Sequence, residues 1–242
     1  MNDSINALCE TIRDAGFCFI PAAASLADIA TVDWQRFAAS WNNMPLDTYM
    51  ADGGRYRRRR HATLSMSPNA TVAKLEPHQA HYQSRDDNTL NGGIARHFEP
   101  IAEAVVRGET MTSLLALCGA VFGRCLPGHA WHIEAHQFRI EANAAASGQP
   151  TPEGVHRDGV DYVLVMMVKR HNIREGSTTI HGVDATPLAH FTLILPLDMT
   201  FIDDHRCLHG VTPVTPLDVA QPAWRDVLVV TFRARRADQS AA

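Results

Sequence analysis

His156, Asp158 and His209 are the residues whose types and spacing first suggest chemistry. In an extended strand, residues two apart point to one side. His156 and Asp158 therefore place an imidazole and a carboxylate in one pocket while Arg157 turns away. His209 follows roughly fifty residues later, after strand-like runs that can fold it back beside the first pair. Two imidazoles and one carboxylate leave about three positions of an octahedral ferrous ion open, the arrangement needed to activate dioxygen. The bland alternative is a surface turn at Asp158-Gly159, and the thirteen histidines of the chain make chance triplets common.

The elements around these residues must bring them together. From Trp131 to Ile140 the pattern has period two, with His132, Glu134, His136, Phe138 and Ile140 on one face, which marks a half-buried strand. His132 and His136 share that face without a carboxylate at ligand spacing, so they read as structural or substrate-facing. Asp161 to Arg170 is strongly apolar, Ser177 to Val183 alternates, Phe191 to Leu197 reads as another buried run, and Trp224 to Phe232 as the last strand. The Gly- and Pro-bearing stretch from Ala144 to Pro152 is a loop placed to act as a lid. Short strands broken by Gly, Pro and Asp predict a β-sandwich or barrel with helices over one face.

Helical spacing places Ile5, Leu8, Ile12 and Ala15 on one face before Gly16. Ser25-Leu26-Ala27-Asp28 opens a second helix to about Trp41, with Ile29, Val32, Phe37 and Trp41 toward the core. Two further helices are expected between Ile94 and Gly123, separated at Gly108. Five arginines crowd residues 55–60, and the simplest reading is a solvated edge strand. Alternation would turn Tyr56, Arg58 and Arg60 inward and Arg55, Arg57 and Arg59 outward.

The chain has 242 residues, 45% of them hydrophobic and 20% charged, which is enough for a packed core in one domain. A net charge of −4 speaks against a general nucleic-acid binder and for a small partner. Five cysteines without a Cys-x-x-Cys pair read as neither a disulfide framework nor a zinc site. No apolar run reaches the ~18 residues of a membrane span, so a cytoplasmic setting is expected. Residues 1–236 are expected to form the domain, with a helical and strand part to about 128, a strand core from about 129, and a tail over 237–242.

Several segments resemble the bacterial 2-oxoglutarate- and iron-dependent dioxygenases that hydroxylate free L-amino acids, the L-isoleucine dioxygenase group among them. They are Pro152 to Asp161, Phe191 to Asp198, His209 to Pro213 and Arg225 to Arg233, with Arg55 to Arg58, Tyr82-Gln83-Ser84 and Gly92 to Arg96 resembling its N-terminal motifs. The resemblance implies a double-stranded β-helix, or jelly roll, in which His156, Asp158 and His209 bind Fe(II). It also implies an arginine on a late strand for the distal carboxylate of 2-oxoglutarate. Arg225 takes that part, with Arg233 as the competitor on the same strand face and Thr231 and Gln137 as further cosubstrate contacts. An arginine suits the task because its planar fork meets a carboxylate through two charge-assisted bonds. Arg58 and Arg157 are candidate cations for the substrate carboxylate, and Asp161 a candidate acceptor for its ammonium.

The reaction implied is hydroxylation of a free aliphatic amino acid such as isoleucine, leucine or methionine, with 2-oxoglutarate decarboxylated to succinate and carbon dioxide. Dioxygen is consumed, ascorbate stimulates, and the protein is a monomer or homodimer. Competing readings are a dioxygenase of another small molecule and a non-catalytic, metal-containing jelly roll that binds one.

Overall fold

The structure is a computed structural model that describes residues 2–25 and 31–235. Its first half runs through α1 (Asn2–Ala15), β1 (Phe17–Ile20), α2 (Ala22–Ser25), α3 (Trp34–Ala39), β2 (Arg57–Met66), β3 (Lys74–Leu75), β4 (Glu99–Pro100), α4 (Glu103–Val106) and α5 (Glu109–Cys125). Strands then follow: β5 (Ala130–Ala142), β6 (Tyr162–His171), β7 (Ile173–Glu175), β8 (Thr178–Gly182), β9 (Pro187–Phe191), β10 (Met199–Asp203), β11 (Cys207–Val211), β12 (Val214–Pro216) and β13 (Ala223–Arg235).

Eight strands form one large sheet in the order β1-β10-β6-β13-β5-β2-β3, with β4 beside β2. A smaller sheet, β11-β8-β9, and the pair β12-β7 complete the strands. The fold is a double-stranded β-helix with helices flanking the large sheet, as its resemblance implied. β6 explains the layering. Its Tyr162, Leu164, Met166 and Val168 join the main core with Phe37, Trp41, Leu114 and Phe122 of the helical layer. Val163, Val165 and Met167 join the smaller apolar clusters on the other face. A strand buried on both faces reads as an uninterrupted apolar run. Full burial of each large apolar side chain contributes about 1.5–3 kcal/mol, so packing against the helices fixes one face of the sheet and leaves the other to the site.

Gly16 ends α1 with φ +82, a conformation that L side chains rarely adopt, and a Cβ there would lie 2.5 Å from Cys207 Sγ. The capping sequence expected to open the second helix lies mostly outside the described residues, as do Ile29 and the tail over 237–242. The helix that is described, α3, is short; Phe37 and Trp41 are buried, but Val32 is 76% exposed rather than facing the core. Trp41 instead donates its indole N–H to Phe138 O and Val227 O, beside the register shift between Asp226 and Val227.

Three further expectations are corrected. The first of the two helices after Ile94 begins only at Glu103, because Pro100, paired as part of β4, cannot donate the amide a helix interior requires. Gly108 does separate the two and caps α5. Beyond β9 the run to Leu197 leaves the sheet: Ile194 and Leu195 are exposed, and the Asp198 carboxylate accepts both of their amides in a turn. The arginine strand β2 is interior, paired along its length with β5, and its phase is the reverse of the expected one. Arg57 and Arg59 are buried, and Arg58 and Arg60 lie on the opposite face with partial exposure.

Candidate active site

The His156 amide donates to His209 O at 2.9 Å and the His209 amide returns to His156 O at 2.8 Å, so a two-residue bridge sets the imidazoles side by side. Their ring centroids are 4.7 Å apart. Asp158 reaches between them: its Oδ1 is 3.8 Å from His156 Nε2 and its Oδ2 is 3.7 Å from His209 Nε2. These separations are too long for hydrogen bonds and suit three ligands facing a common centre. His156 Nδ1 lies 3.1 Å from Gly154 O, a contact that puts the proton on Nδ1 and leaves Nε2 free to bind metal. Burial and the neighbouring His156 push the His209 imidazole down to about 3, which keeps it neutral, as a ligand must be. The three side chains fit a ferrous ion.

Asp204 holds this turn in place. Its carboxylate accepts the amides of Asp158 at 3.0 Å, Gly159 at 2.7 Å and Val160 at 3.0 Å, and the residue is 1% exposed. Arg157 points away and lies 3.7 Å from Asp87, 48% exposed at its side chain.

On the inner face of the large sheet, Arg225 is 2% exposed, and its Nε and Nη2 have no hydrogen-bond partner. Burial and the charge of Arg170 press its pKa below the usual range. A buried guanidinium left open in this way fits a carboxylate from a bound small molecule. Thr231 lines the same cavity. Arg233, its competitor, also lines the cavity but donates to Gly159 O at 3.0 Å and is exposed, whereas Arg225 is buried.

The cavity also gathers His136, in line with one of the two readings given for it, Arg59, expected to face outward, and residues that the spacing did not mark: His81, Gln83 and Arg96 from the passage between β3 and β4, and Glu153 just before the metal triad. Arg96 donates to Gln83 Oε1 at 2.9 Å, and Gln83 Nε2 in turn lies 3.4 Å from Asp158 Oδ1. A buried chain thus runs from a guanidinium to a metal-site carboxylate. Glu134 does supply a carboxylate among the strand histidines, contrary to the expectation for His132 and His136. It joins His61, His81 and His136 in a second group whose ligand atoms lie within 4.8 Å of one another. There, however, His81 Nδ1 is 2.9 Å and His61 Nε2 3.3 Å from the Glu134 oxygens, so the carboxylate is already hydrogen-bonded. Burial opposes the Glu134 charge, but the bonds from His61 and His81 outweigh it and hold the carboxyl far below its usual range. His132 stands apart, 2.7 Å from Arg235 Nη2.

Four expected contacts are not brought to the cavity. Arg58 pairs with Glu141 at 2.7 Å on the outer face, because β2 has the reverse phase. Arg157 is turned outward by the alternation that turns its two neighbours in. Asp161 is occupied by His205 Nε2 at 3.0 Å and the Ala234 amide at 2.7 Å. Gln137 faces the helical layer, donating to Ser40 Oγ at 2.7 Å.

A family model described as 2OG-Fe dioxygenase matches residues 38–231. The chain belongs to this family. The dioxygenase is accordingly an oxygenase enzyme of the kind that uses Fe(II), 2-oxoglutarate and dioxygen. It is 26% identical over 197 residues to a 3(1)-hydroxy-L-isoleucine 4-dioxygenase of Pantoea ananatis, covering 80% of this chain and 78% of that one. Among solved structures, a bsmA homolog from Methylobium petroleophilum PM1 is 35% identical, with a TM-score of 0.86 over 95% of this chain and 92% of the other. IDO from Bacillus thuringiensis matches 96% of the dioxygenase and 100% of its own chain at a TM-score of 0.80, and at 18% identity that likeness is one of fold. No helix among the described residues is long and apolar enough to cross a membrane.

Proposed function

We propose that the enzyme hydroxylates a free aliphatic L-amino acid, with isoleucine, leucine and methionine as the first candidates, in one dioxygenase domain. The observation that carries this reading is the buried, unpartnered Arg225 in the same cavity as the His156, Asp158 and His209 triad, in a chain similar to a hydroxyisoleucine dioxygenase. His156, Asp158 and His209 would hold Fe(II). Bound iron would supply the oxidation of a substrate C–H bond, coupled to decarboxylation of 2-oxoglutarate to succinate.

The protein's own part is placement. Arg225 receives the distal carboxylate of 2-oxoglutarate and so orients the cosubstrate's other end toward the metal, with Thr231 lining the cavity farther along the same strand. Val165, Val227 and Val229 give the same cavity an apolar wall for an aliphatic side chain and limit water there. Gln83 contacts the Asp158 carboxylate and Asp204 holds the Asp158 amide, so the approach of that carboxylate to the metal is set before ligands arrive.

The test is succinate formation by purified protein supplied with Fe(II), ascorbate, 2-oxoglutarate and oxygen, with each free L-amino acid in turn and mass detection of the product. Succinate together with a gain of one oxygen on an amino acid is the expected result. Turnover without oxygen gain on any of them would remove the amino-acid reading and leave the oxygenase.

A further inference from the structure

Charge in the cavity is unbalanced in a way that the triad and Arg225 do not absorb. Three buried arginines, Arg57, Arg59 and Arg96, stand along one wall. Arg57 is closed by Asp47, its Nε 2.8 Å from Oδ2. Arg59 and Arg96 have no carboxylate within salt-bridge distance among the described residues. Arg59 lies between the rings of Phe98 and Phe138, at 4.1 and 4.6 Å from their centroids, with Nη2 3.0 Å from His136 Nδ1 and Nε unpartnered. Arg96 spends Nη2 on Gln83 and leaves Nε unpartnered. Burial opposes the charge of both, and the neighbouring Arg96 and Arg57 oppose that of Arg59 further; guanidinium groups held out of water in this way are stabilised by an anion between them.

The same cavity offers the opposite charge close by. Glu153 has its side chain 8% exposed. Its Oε1 meets Asn88 Nδ2 at 3.3 Å and lies 3.6 Å from His156 Nε2, whereas Oε2 is buried with no partner. Both Glu134 oxygens are taken by histidines, so Glu153 is the open acceptor.

We propose that Arg59 and Arg96 bind the α-carboxylate of the substrate and Glu153 its α-ammonium group. The proposal rests on the amino-acid reading above and adds that both backbone groups of the substrate must be free. An amide, a peptide or a carrier-bound acyl group leaves the two guanidinium groups uncompensated, and an N-acylated amino acid leaves the Glu153 carboxylate so. A neutral substrate fails on both counts. Sites built around buried charge reject ligands lacking the matching group far more strongly than apolar pockets reject a missing methylene.

Anaerobic calorimetry on the protein loaded with Fe(II) and 2-oxoglutarate tests this with three probes: the L-amino acid that supports turnover, its carboxamide and its N-acetyl derivative. Each derivative should bind at least about 100-fold more weakly than the parent. The variants Arg96→Gln and Glu153→Gln, checked for folding by thermal melting, make the assignment specific. In R96Q the gap between acid and carboxamide should shrink to a few-fold while the N-acetyl gap remains, and in E153Q the reverse should hold. Derivatives that bind as tightly as a hydroxylated parent would overturn the clamp and leave the amino-acid reading intact. Gaps unchanged in both variants would also overturn it. Should no free amino acid bind or be oxidised while a carboxamide or thioester is, the clamp and the amino-acid reading fall together.

Discussion

Asp158 illustrates how much one side chain carries: it faces both imidazoles, accepts from Gln83 and has its amide held by Asp204. Asp158→Ala or His209→Ala should weaken Fe(II) binding by more than the 10–100-fold typical of supporting residues, and abolish succinate formation. Metal titration followed by calorimetry checks this, and tight binding in either variant would remove them from the ligand set. Arg225→Gln should keep metal binding and raise KM for 2-oxoglutarate by about 10–100-fold, the worth of a charge-assisted bond of roughly 1.5–3 kcal/mol. An unchanged KM would hand the role to Arg233. His81 makes a prediction about pH. Burial lowers its pKa from 6.5 to about 4. Between those values the unfolded chain binds a proton that the folded chain does not, so stability rises with pH across the window and is lost as pH falls through it. The contribution is roughly 1–3 kcal/mol. Urea unfolding from pH 4 to 7 should show this slope in the wild type and a flatter one in His81→Gln; equal slopes would contradict it.

At the scale of elements, the clustering of His156, Asp158 and His209 was legible from a His-x-Asp spacing and a distant His-Gly pair, although His156 and Asp158 lie in the connection between β5 and β6, held by a single bridge to β11 rather than in a strand. β5 was legible from its period of two, and β13 from the apolar run that ends the chain of strands. What period alone leaves open is which face looks inward, and in β2 the arginines give no apolar signal to decide it. Arg57 and Arg59 therefore emerged only from the fold. Gln83, Arg96 and Glu153 gave no periodic signal because they lie outside the strands, in irregular backbone, a lone bridge to His81 and a turn respectively, and Asp204 gave none because it acts across 46 residues. That last contact is itself testable. Asp204→Ala strips the amides of Asp158, Gly159 and Val160 of their acceptor, and Fe(II) affinity should fall about 10–100-fold while the fold survives. An unaltered affinity would show that the turn holds itself.

Across the whole molecule, the division of labour follows the large sheet. Its outer face packs on helices into the main apolar core, and its inner face turns Arg225, Thr231, Glu134 and His136 into the cavity that the smaller sheet closes with His209. The resemblance and the short-strand pattern both pointed to this architecture, and helix ends marked by Gly16 and Gly108 were readable too. Of the second helix expected to run to about Trp41, the described residues hold α3, six residues long, while Leu26, Ala27, Asp28 and Ile29 of that expectation lie outside them. One reaction tests the central claim most directly: turnover under isotopically heavy dioxygen with a free L-amino acid as substrate. One labelled oxygen atom should appear in the amino-acid product for each one that enters succinate. Label in succinate alone, with every amino acid recovered unchanged, would contradict the proposal that this cavity hydroxylates free amino acids.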